Sequence, residues 1–99
     1  MEIYMAVIVK FKQLGQFNAG EFKSLDLDRI TKLQINHLRN SCELLADTPE
    51  NPRPNTPYII ASRENAYELQ TIVDELDQLR RAKKSGTYEI TETEAHLIK

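Results

Sequence analysis

The chain has no tryptophan, a single cysteine (Cys42) and three glycines. Each shortage excludes something. One cysteine cannot build a disulfide framework within a chain, so a reducing, cytoplasmic setting is expected. So few glycines leave no glycine-rich loop to wrap a phosphate, and no G-x-S-x-G elbow for a serine nucleophile. There is no C-x-x-C or H-x-x-x-H pair, so neither a metal site nor a cofactor is expected. The longest apolar run, Met5 to Val9, is too short to span a membrane. The first residues lack signal-peptide form, with Glu2 where positive charge belongs and Lys10 and Lys12 after the apolar run. Excess positive charge is also missing. The formal net charge is -2 over 99 residues, which weighs against general nucleic-acid binding.

What the chain does have is a strong helical period. Over Ser62 to Lys84, Leu69, Ile72, Val73, Leu76 and Leu79 recur at steps of three and four, on one stripe of a helix. Ser62 suits the N-cap and Gly86 the stop. Glu64 and Glu68 near the start, and Arg80, Arg81, Lys83 and Lys84 at the end, complement the helix dipole. Arg80 and Lys83 lie on the line of the apolar stripe beyond Leu79. That turn is therefore either a cap snorkelling over the core edge or a partner contact. Tyr67 falls on the opposite face, as a partner anchor or as one of the scattered apolar residues every surface carries.

The rest of the chain is placed around that helix. Ile3 to Phe11 alternates as a strand apolar on both faces at its start, which suggests a central strand or an oligomer contact. Gly15 suggests a bend and Asn18-Ala19-Gly20 a turn. Glu21 to Leu25 would return as the second arm of a hairpin, with Phe22 inward. A second helix is expected from Ser24 or Asp26 to about Asp47, with Ile30, Leu33, Leu38, Leu44 and Leu45 on one face. His37 and Ser41 would interrupt that face, either as a polar layer that sets register or as a core histidine bonded to a backbone carbonyl at the core edge. Asp47 to Pro57 is proline-rich and reads as a stiff connector or a polyproline II ligand. Tyr58 to Ala61 is a short strand leading into Ser62. Thr87 to Thr93 reads as an edge strand half buried through Tyr88 and Ile90.

The expected architecture is a single α+β domain over residues 1–99. A small sheet, made of the N-terminal hairpin, a short central strand and the C-terminal strand, would carry two amphipathic helices packed on one face. No catalytic pair is legible, since His37 and Cys42, five apart on a helix, would diverge. The chain therefore reads as a non-enzymatic interaction protein, regulatory or inhibitory, that binds and blocks or scaffolds another macromolecule as a homo-oligomer. Its partner surface would be Arg80, Arg81, Lys83, Lys84 and Tyr67. One alternative is an anionic nucleotide held at a basic oligomer interface. The strand-to-helix junction Ser62, Arg63 and Asn65 is the ligand-binding candidate, because such junctions bind anions. A nucleic-acid-binding regulator is the other alternative.

Overall fold

In a computed structural model, the structure describes residues 6–14, 20–53, 55–83, 85–92, 94 and 96–99. Strand β1, Val7–Lys12, is the hub. Its β-branched start favours extended backbone, and Val7, Val9 and Phe11 alternate onto a buried face. β2, Phe22–Asp26, pairs antiparallel with it. The connection ends at Gly20, whose φ of +91° is open to glycine at no steric cost. The expected bend at Gly15 and the turn residues Asn18 and Ala19 lie outside the described residues, as do Ile3 to Met5.

Phe22 does not point inward. The register sets Phe11 opposite Lys23 and Val9 opposite Leu25, so Leu25 shares the inner face and Phe22 the outer one. Phe22 is 59% exposed, and the Lys10 ammonium stands 5.0 Å from its ring centroid.

The second helix is absent, and this overturns the expected architecture. Over its span lie a 3₁₀ turn, Leu27–Arg29, and two strands, β3, Lys32–His37, and β4, Cys42–Asp47. The same residues carry a two-residue period. Leu33 and Ile35 alternate with Lys32, Gln34 and Asn36, while Cys42, Leu44 and Ala46 are buried between half-buried Glu43, Leu45 and Asp47. Leu33 and Leu44 fit both periods. Asn36, His37, Asn40 and Ser41 are poor helix formers, and the hairpin closes where Leu38 N–H donates to the Ser41 carbonyl at 2.8 Å. The supposed polar layer is therefore the exposed end of a hairpin.

β5, Tyr58–Arg63, completes a second sheet of order β3–β4–β5. β6, Gly86–Ile90, runs parallel to β1 and completes the first, β2–β1–β6. The sheets meet where β1 runs past its last rung with β6, Phe11 opposite Ile90, and Leu14 N–H bonds the Ile59 carbonyl at 3.3 Å. Among the described residues the architecture is thus six strands in two three-stranded sheets with one α-helix, instead of one sheet under two helices. The α+β label holds only in that coarse sense.

Helix α1, Ala66–Ala82, buries Leu69, Ile72 and Leu76 against Phe11, Leu44 and the rest of a single core. It starts later than expected because Ser62 and Arg63 pair with Glu43 and Cys42 and extend β5. The N-cap is Asn65, whose Oδ1 accepts the Glu68 N–H at 3.2 Å. The helix ends at Lys83, in the left-handed region with φ 52°. Gly86 opens β6 instead of stopping the helix. Among the described residues no helix is long and apolar enough to cross a membrane.

Candidate binding site

A cleft of about 510 Å³ opens between the second half of α1, β6 and the C-terminal segment. Glu75, Gln78, Leu79 and Ala82 line it from the helix, as the three-and-four spacing requires. Tyr88 of β6 and Leu97 form the apolar wall opposite, and Lys99 adds a cation.

The C-terminal segment is held there by specific bonds. Glu75 Oε2 accepts the Leu97 N–H at 2.8 Å, and Oε1 lies 2.5 Å from His96 Nδ1. Ile98 exchanges two backbone hydrogen bonds with Glu89, at 2.6 and 2.9 Å, antiparallel to β6. Gly86 N–H turns the other way, to Ala6. By the two-residue alternation of a strand, the next outward rung after Glu89 is Thr87. Among the described residues no strand pairs with that rung.

The expected partner turn is largely occupied within the chain. Arg80 Nη2 donates to the Leu27 carbonyl at 3.0 Å, which ties the end of α1 to the 3₁₀ turn. Arg81 pairs with Asp77 at 2.7 Å. Lys83 is exposed beside the cleft, and Lys84 lies outside the described residues. Tyr67 is 86% exposed but sits in the first turn of the helix, whereas the cleft lies along its second half.

The strand-to-helix candidates separate by role. Asn65 spends its side chain as the cap and Ser62 is half buried. The Arg63 side chain is only 6% exposed. Its Nη1 donates to the Ser62 carbonyl at 2.7 Å, and its Nη2 to those of Thr91 and Glu94 at 2.7 and 3.0 Å. It clamps the start of the C-terminal segment to β5.

His37 and Cys42 do not diverge. They sit opposite each other across β3 and β4, with Sγ 3.5 Å from Nδ1. Cys42 is buried, and among the described residues no third group bonds the imidazole to orient it as nucleophilic catalysis requires. Among the described residues no group of three or more His, Cys, Asp or Glu could hold a metal ion.

The sequence reading missed Glu75, Gln78, Tyr88, Leu97 and Lys99 as one site. Glu75 and Gln78 lie off the apolar stripe of the helix, and Ala95 to Lys99 read from sequence either as a continuation of the last strand or as a tail. Only the return of that segment along β6 joins them. The descriptors regulatory and inhibitor find no support in this geometry of a small, mostly stranded domain. No protein-family model, curated protein or solved structure matches the chain.

Proposed function

We propose that this chain is a non-catalytic binding domain that holds another protein in the cleft between α1 and β6. The observation that carries the reading is the cleft itself, about 510 Å³ with an apolar wall and a few polar groups at its rim. A cleft of that size has room for side chains of a partner segment, with Tyr88 and Leu97 as its apolar wall. The outward rung at Thr87 adds a backbone donor and acceptor beside it, of the kind that captures an extended chain. The single cysteine suits a reducing compartment.

The test is a pull-down from lysate of the source cells with the full chain and with Ala82→Trp, which fills the rim from an exposed position. We expect proteins retained by the wild type to be lost by the variant at unchanged melting temperature. An identical set retained by both removes the cleft from the function. Binding that collapses steeply with salt would instead favour the nucleic-acid reading.

A further inference from the structure

A second hollow, of about 320 Å³, lies where the two sheets part. β1 leaves β6 after Phe11 and meets β5 only at Leu14, so β5 and β6 splay on either side of Lys12. The hollow shares no lining residue with the α1–β6 cleft. Ile60 and Ile90 line it with apolar surface, while Lys12, Ser62, Arg63 and Glu92 supply its polar groups.

Arg63 is the unusual member. Its hydrogen bonds go to the neutral carbonyls of Ser62, Thr91 and Glu94, which orient the guanidinium without neutralising it. Its Nε–H is buried with no hydrogen-bond partner. The nearest carboxylate, Glu68, stands 4.0 Å from Nε with its side chain 44% exposed. Charges taken out of water are normally paired. Lys12 brings a second cation to the hollow, held 3.0 Å from the exposed Glu92 carboxylate.

We propose that this hollow binds a small molecule bearing one carboxylate or phosphate group. The anion lies against the Arg63 guanidinium and takes Lys12 from Glu92. The volume, near the low end for ligand pockets, suits a small molecule. Glu68 and Glu92 are the competing internal anions.

Calorimetric titration of the full chain with inorganic phosphate, and separately with acetate, at constant ionic strength tests this. We expect saturable binding of at least one. Tighter phosphate identifies a phosphate head group, and tighter acetate a carboxylate. Because Arg63 also clamps the C-terminal segment, the informative variants are Lys12→Ala and Glu68→Gln. Lys12→Ala should weaken binding by about tenfold at unchanged melting temperature, whereas Glu68→Gln, by removing a competitor, should strengthen it. Saturation by neither anion, unchanged affinity in Lys12→Ala, or weaker binding in Glu68→Gln overturns the proposal.

Discussion

Two single positions carry more than their neighbours. Arg63 ties β5 to the segment after β6 through two carbonyl acceptors, those of Thr91 and Glu94. A hydrogen bond from a charged donor contributes about 1.5–3 kcal/mol, but removing a buried charge also recovers desolvation free energy. We therefore expect Arg63→Ala to lower unfolding stability by about 2–4 kcal/mol. Amide exchange at Glu89 and Ile98 should accelerate in the same variant. Urea denaturation showing a loss below about 1 kcal/mol would mean that the clamp holds little. Lys83 is the opposite case. Its φ of 52° strains a side-chain-bearing residue at the helix end. Lys83→Gly should stabilise by about 0.5–1 kcal/mol, a rise of a few degrees in melting temperature that calorimetry resolves.

At the scale of elements, α1 is the piece whose rotation about its own axis can be tested directly. Leu76 is 1% exposed in mid-stripe and Tyr67 faces solvent. An unpaired carboxylate at Leu76 should cost several kcal/mol, comparable with a small domain's whole stability. Leu76→Asp should therefore be unfolded by circular dichroism, while Tyr67→Ala stays within about 0.5 kcal/mol of wild type. Equal losses in the two would mean that the stripe faces elsewhere. The β3–β4 hairpin shows the limit of this kind of reading. Leu33, Leu38, Leu44 and Leu45 satisfied a helical period by coincidence, while the alternation of Cys42, Leu44 and Ala46 describes what folds.

For the molecule as a whole, β1 pairs with a neighbour close in sequence on one side and with a strand near the other end of the chain on the other. Val7 lies opposite Gly86. The first sheet cannot be completed until that long loop closes, so refolding should take milliseconds to seconds instead of the microseconds of local helical folds. Stopped-flow fluorescence of the tyrosines measures this directly, and a microsecond relaxation would contradict the topology. Association of copies belongs to the same scale. The outer edge of β3, Lys32–His37, pairs with no strand among the described residues, and open edges invite a second chain. We expect light scattering at high micromolar concentration to give more than the monomer mass, and a monomer mass would remove self-association from the proposal.

The sequence by itself determined whatever depends on local pattern. The period of Leu69, Ile72 and Leu76 specifies an amphipathic helix whatever surrounds it. The alternation of Val7, Val9 and Phe11 specifies a strand with one buried face. Tertiary structure decided the rest. A run such as Ile30 to Asp47 satisfies two periods, and only partners across β3, β4 and β5 select one of them. Register turned Phe22 outward, because one step along a strand exchanges its faces. Both hollows depend on segments far apart in the chain, Lys12 beside Arg63 and Glu92, and Glu75 beside Leu97. No local spacing encodes such a meeting, which exists only once loop closure has brought the strands together.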